Sequence, residues 1–262
     1  MSALNTAATG MLAQQRNVEV ISNNIANLNT VGYKRQRAEF QDLLYQTLER
    51  PGAISSQTGT AIPNGVQIGA GVKTGSVYRI VEQGNVTQTS NDFDIAISGR
   101  GLFRILLPDG QEAYSRAGNF AVSSDGRIVS EDGNEISPGI TIPEDAIDIS
   151  ISENGIVEAR IAGETSLREL GQLELVTFFN ESGLEAIGDN LLLETAASGE
   201  PIIGNPGETG FGKLLQGFIE TSNVDPVQEI TALIAAQRAY EMNARVIETS
   251  DQMLSINANL RG

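Results

Sequence analysis

Hydrophobic positions recur with two different periods along this chain. Both ends repeat every seven residues, and the middle alternates every second one. In the C-terminal stretch, residues 225–260, Pro226 is the only proline and glycine is absent, so the pattern predicts a helix roughly 54 Å long. Leu233, Tyr240, Ile247 and Leu254 form one apolar heptad row, while the neighbouring row Ile230, Gln237, Ala244, Asp251 and Ala258 is small or polar. Asn223 or Asp225 can cap its start, and Pro226 suits the first turn because its missing N–H has no helical partner there.

The N-terminus repeats this logic. Leu4, Met11, Val18 and Ile25 keep strict seven-residue spacing, and Ala7, Gln14, Ile21 and Leu28 follow three residues after each. Two helices of this kind, each with one apolar row and one imperfect row, predict a coiled-coil-like pair. Asn29 to Gly32 should end the first helix, because asparagine competes for local hydrogen bonds and glycine supplies the left-handed cap. The cluster Lys34, Arg35 and Arg37 that follows reads as solvated surface.

Residues 39–48 read as a further short helix, and residues 50–75, rich in Gly, Ser, Thr and Pro, as a long loop or hairpin. From about Gly75 to Gly217 the period is two. Phe103, Ile105 and Leu107, then Ile147, Ile149 and Ile151, then Val157, Ala159 and Ile161 alternate with polar neighbours. Asp109-Gly110, Asp125-Gly126, Asp132-Gly133 and Asn154-Gly155 supply tight turns between strands. No helical segment separates these strands, so a parallel βαβ sheet is excluded. The expected fold class is α+β. The terminal helices pair, and a central, mainly antiparallel all-β domain lies between them in sequence. The expected organisation is residues 1–45 helical, 46–75 an extended loop or hairpin linker, 76–220 the β domain and 221–262 helical.

Composition narrows the chemistry. The chain of 262 residues has no Cys, no His and no Trp, which removes disulfides, thiolate and imidazole catalysis and most transition-metal sites. Its net charge of −16 is concentrated in residues 46–220, which carry −15 of it, while residues 1–45 are at +1 and 221–262 at −2. Such a body repels nucleic acid and anionic lipid. No secretory signal or membrane span is visible, so the expectation is a cytosolic chain or one exported without a cleavable signal.

The candidate reactive motifs are weak. Gly69-Ala70-Gly71-Val72-Lys73-Thr74-Gly75 has the composition of a phosphate loop but lacks glycine before the lysine and runs into a strand pattern. Ser98-Gly99-Arg100-Gly101 reads as a turn. Asp92 and Asp94, or Glu131, Asp132 and Glu135, leave a two-carboxylate glycoside hydrolase as the enzyme class to set against a structural role, although aromatic platforms for sugars are scarce. No cofactor, metal or catalytic residue is expected.

Asn23-Asn24-Ile25-Ala26-Asn27-Leu28-Asn29-Thr30-Val31-Gly32-Tyr33-Lys34-Arg35 resembles the N-terminal signature of bacterial flagellar rod and hook proteins. Gln237-Arg238-Ala239-Tyr240-Glu241-Met242-Asn243 and Thr249-Ser250-Asp251-Gln252-Met253-Leu254 are similar to that family's C-terminal helix. The segments 146–157 and 185–191 resemble its β domain, so nearly the whole chain is covered. Length and the segment 50–71 place the likeness nearest the distal-rod members, with proximal rod or hook-type axial proteins as the alternative.

The resemblance implies a non-enzymatic subunit that assembles with copies of itself into a helical tube. Its partners would be other rod subunits, the hook and the surrounding bushing rings, with no nucleic acid and no membrane insertion. It would sit in a periplasm-spanning rod after type III export without a cleavable signal. The implied assembly residues are Leu4, Met11, Gln14, Val18, Ile21, Asn24, Ile25, Asn27, Asn29, Gly32 and Tyr33 at one end, and Leu233, Gln237, Tyr240, Ala244, Ile247 and Leu254 at the other. On this reading, the row from Leu4 to Ile25 meets the row from Leu233 to Leu254 within one subunit, and Gln14, Gln237 and the asparagine run face neighbours or the channel.

Overall fold

The computed structural model describes residues 2–49, 65–162 and 166–259. They form two compact units. One combines residues 1–25, 36–78 and 225–262, and the other combines 26–35 and 79–224.

The first unit holds the two long helices, α1 (Ser2–Ala26) and α2 (Pro226–Asn259). Asp225 is the cap of α2: its Oδ1 accepts the backbone N–H groups of Val227 at 2.9 Å and Gln228 at 3.3 Å. The helices pack antiparallel. Asn24 near the end of α1 bonds Glu229 in the first turn of α2, and a Cβ on Gly10, fourteen residues earlier, would meet the side chain of Asn243, fourteen residues later, at 3.0 Å.

The seam differs from the expected one. The most buried positions of α1 are Ala7, Ala13, Ile21 and Asn24, and those of α2 are Glu229 and Ala236. Leu233 and Ile247 are half-buried, whereas Tyr240 and Leu254 of the same row are 44% and 48% exposed. The second row of the seam is Glu229, Ala236, Asn243 and Ser250, one position before the row read from the sequence. Small and polar side chains let the backbones approach closely, so a search for large apolar residues passes over this row and selects Tyr240 and Leu254, which ride at its edge.

Residues 39–48 are not helical. Gln36–Asp42 and Tyr45–Glu49 are strands, paired with Val72–Arg79 and Val66–Gly69 respectively. In this segment the helical spacing of Phe40, Leu43, Leu44 and Leu48 is overridden by backbone pairing across the linker, with Tyr45 opposite Gly69 and Glu49 opposite Val66. The described ends of the linker are therefore hairpin arms; the loop reading of residues 50–64 lies outside the described residues. At the root, Leu43 N–H donates to Gly71 O at 2.8 Å, and Thr9 Oγ1 of α1 accepts Val72 N–H at 3.3 Å.

The second unit is the antiparallel β domain that the alternating pattern predicts. Leu102–Leu106 lies at the centre of its largest sheet, paired with Glu112–Ser115, Glu135–Ile136 and Leu175–Thr177. All four predicted Asp-Gly and Asn-Gly turns join antiparallel neighbours, with the glycine at positive φ in each. Ala146–Ile151, Ile156–Ile161 and Arg168–Gln172 make a second, three-stranded sheet. Gln216 ties it to the strand Lys213–Gln216: its Oε1 accepts Ile151 N–H at 2.9 Å and its Nε2 donates to Ile149 O at 2.8 Å.

The main core gathers Ile95, Ile97, Phe103, Phe120, Ile128, Ile136, Val157, Leu173 and Leu175, with the Phe103 and Phe120 rings edge to face at 4.9 Å. Burying each such side chain is worth about 1.5–3 kcal/mol, so this cluster is the main source of the unit's stability. A smaller cluster packs Tyr114 edge to face on Phe178.

Candidate assembly surfaces and their internal anchors

The segment 30–35, which follows α1, belongs to the β unit and is fastened into it by backbone and side chain together. Gly32 adopts φ +69 and its N–H donates to Glu220 O at 2.8 Å; a Cβ there would stand 2.7 Å from Ala117 N. Glycine is required on both counts. Arg35 N–H donates to Asn223 Oδ1 at 2.7 Å, and Asn223 Nδ2 reaches Ile80 O at 2.9 Å and Glu82 O at 3.0 Å. Asn223, which the sequence offered as a helix cap, is instead a clamp between three segments.

Lys34 closes the attachment. Its side chain is 11% exposed rather than solvated, and Nζ donates to Glu82 O at 2.8 Å and to Glu220 Oε1 at 2.5 Å. Glu220 Oε1 also accepts Gly84 N–H at 2.9 Å, and Oε2 accepts Arg116 Nε at 2.6 Å. Arg116 spends its remaining donors on the carbonyls of Ile97, Gly99 and Gly101, which fixes the turn at Ser98-Gly99-Arg100-Gly101.

Burial pushes the Glu220 carboxyl up, but the Arg116 guanidinium, Lys34 and the Gly84 N–H together outweigh it and hold the group below its ordinary value. For Lys34 the balance goes the other way: burial, joined by the nearby Arg116 charge, lowers its pKa despite the bond to Glu220. The cluster is a fully bonded buried charge network, and its chemistry is positional.

The other residues expected to act in assembly occupy several environments. Leu4, Met11, Gln14, Val18 and Ile25 are half-buried on α1, and Ile21 is buried. Asn24 is 1% exposed and bonded within the subunit to Gln36 and Glu229, so it is not turned outward with an asparagine run. Asn27 is half-buried and accepts the Thr30 hydroxyl at 3.1 Å, Tyr33 is half-buried, and Asn29 is exposed. On α2, Ala244 is half-buried and Gln237 exposed.

α2 leaves a series of large apolar side chains uncovered among its polar ones. Val227, Ile230, Ile234, Tyr240, Met242, Val246, Met253, Leu254 and Ile256 are each between 44% and 71% exposed, and Leu12 of α1 is 64% exposed. The hairpin arms add Leu44, Tyr45, Leu48, Val66 and Ile68. Exposed apolar area of this extent marks surfaces meant for contact. No helix among the described residues is long and apolar enough to cross a membrane.

Sequence reasoning missed Arg116, Asn223 and Glu220 as partners of the N-terminal segment. Glu220 ends an ordinary strand, Phe218–Glu220, and nothing in its neighbourhood signals a partner 186 residues away.

Comparison with known proteins covers most of the chain. A family model described as "Flagella basal body rod protein" matches residues 4–34, one described as "Flagellar hook protein FlgE/F/G D1 domain" matches 96–159, and one described as "Flagellar basal body rod FlgEFG protein C-terminal" matches 215–260. The chain is 62% identical over 261 residues to the flagellar basal-body rod protein FlgG of Caulobacter vibrioides, covering 100% of both chains. It is 52% identical to the protein of the same name from Agrobacterium fabrum, covering 98% of each, and 48% identical to that from Borreliella burgdorferi, covering 100% of this chain and 99% of the relative.

Proposed function

Because the chain belongs to the flagellar basal-body rod protein family, we propose that it is a structural subunit of the distal rod, the part of the drive shaft that carries torque towards the hook. The observation that carries this is identity along the entire length to relatives named as basal-body rod proteins, with both terminal helices and the β domain included in the match. The subunit acts by packing and turns over no substrate.

Copies of the chain assemble into a helical tube in the periplasm-spanning part of the basal body, alongside other axial subunits, the hook and the rings around the rod. The uncovered apolar side chains of α2 support this reading, since burying the exposed half of each between copies contributes on the order of 1 kcal/mol. Tyr240, Leu254 and Gln237 lie on exposed surface of α2 and contact neighbouring subunits, while Ile21 and Asn24 shape the helix pair that presents it. Residues 50–71, of which 50–64 lie outside the described residues, restrict bending, and removing them softens or curves the rod.

Electron microscopy of the purified chain at rising concentration tests the reading. Straight tubes support it. A chain that stays monomeric at every concentration, with and without fragments of existing rod as seeds, overturns it.

A further inference from the structure

The carboxamide of Asn24, on α1, bonds two other parts of the helical unit at once. Its Oδ1 accepts the Gln36 N–H at 2.8 Å and its Nδ2 donates to the Gln36 carbonyl at 2.8 Å, so one side chain takes both backbone groups of a single residue, as a neighbouring strand does. The same Nδ2 donates its second hydrogen to Glu229 Oε2 at 3.2 Å. Asn24 is 1% and Glu229 7% exposed, so water cannot replace these partners and each lost bond leaves a desolvated group behind.

We propose that Asn24 is a three-way latch that makes the end of α1, the start of α2 and the strand Gln36–Asp42 order as one cooperative step and fixes the register of the two helices. The seam needs such a device. Gly10 stands against Asn243, and the buried alanines Ala7, Ala13 and Ala236 are small, so these positions distinguish one register from the next only weakly by apolar packing. A slip of α2 by one turn, about 5.4 Å, carries Glu229 out of reach and leaves a buried amide donor unpaired. A single buried asparagine sets register in coiled coils by the same penalty. The latch works within one chain and stands whether or not copies assemble.

Hydrogen exchange of the full-length protein, followed by mass spectrometry, tests it. In Asn24→Ala the amides of residues 18–26, 36–42 and 226–236 exchange faster together, by about tenfold or more, while strands Leu102–Leu106 and Leu175–Thr177 keep their protection. Asn24→Asp, which places an oxygen against both the Gln36 carbonyl and Glu229, loses more. Adding Glu229→Gln to Asn24→Asp restores a donor across the helix pair, so protection returns at 226–236 but not at 36–42. Faster exchange confined to 18–26, a double variant with no recovery at 226–236, or a wild-type chain unprotected at 226–236 would each overturn the latch.

Discussion

Lys34 and Glu220, 186 residues apart in sequence, meet as a buried ion pair whose carboxylate is 1% exposed. The lysine belongs to the segment that follows the N-terminal helix in sequence, and the glutamate ends a strand that precedes the C-terminal helix in sequence. Arg116 on the other carboxylate oxygen makes Glu220 the shared acceptor of two cations and a backbone amide.

Glu220→Gln should therefore destabilise the β unit far more than a surface carboxylate would. It leaves Arg116 and Lys34 buried with their charges uncompensated, and breaking one partner out of such a network costs about 3–5 kcal/mol. Chemical denaturation of the two proteins at pH 7 measures the difference. A loss no larger than that of an exposed control such as Glu153→Gln would show that water reaches the cluster.

Acid should remove the same contribution. Glu220 is held below its ordinary value of 4.5, so in the native state it binds its proton at lower pH than in the unfolded chain. Its stabilisation is then complete above the unfolded value and disappears as pH falls through the native one. The stability gap between wild type and Glu220→Gln is expected to hold from neutral pH down to the unfolded value and to narrow below it. Melting temperatures of both proteins across the acid range report the gap directly, and a gap that widens on acidification contradicts the depressed carboxyl.

Gly32→Ala forces a side chain into positive φ and against the backbone of Ala117. Its cost should be about 1–3 kcal/mol, with the turn after α1 released from Glu220 O. Equilibrium unfolding gives the number, and faster amide exchange at residues 30–35 locates it. An alanine variant as stable as wild type would mean that this turn has another conformation of equal energy.

Tyr240→Ser combined with Leu254→Ser should separate folding from assembly. Both residues are nearly half exposed in the subunit, so stability should change by no more than about 0.5 kcal/mol each. Tube formation, read by electron microscopy, should be lost or need a much higher concentration. If the double variant instead loses stability while tubes still form at the wild-type concentration, these side chains belong to the subunit's own seam.

The sequence by itself determined the secondary-structure periods and much that follows from them. Residues 225–260 contain no glycine and no interior proline and repeat their apolar positions every seven residues, which is a helical period, and Asp225 was an available cap. Alternation around Phe103, Ile149 and Val157, with Asp-Gly and Asn-Gly turns between, left antiparallel hairpins as the economical solution. These are local effects, set by neighbours within a few residues.

What only tertiary structure decided was long-range partnership. Residues 39–48 carry a helix-like spacing but become strands, because Val66–Gly69 and Val72–Arg79 return to supply a ladder that a helix would forgo. Glu229, Ala236 and Asn243 carry the helix seam because close backbone approach rewards small and bonded side chains over large apolar ones. Lys34 could not be told from a solvated lysine until Glu220 and Arg116 stood around it. A residue's periodicity is written in its neighbours along the chain, but its burial and its charge partner depend on which distant segment folds over it.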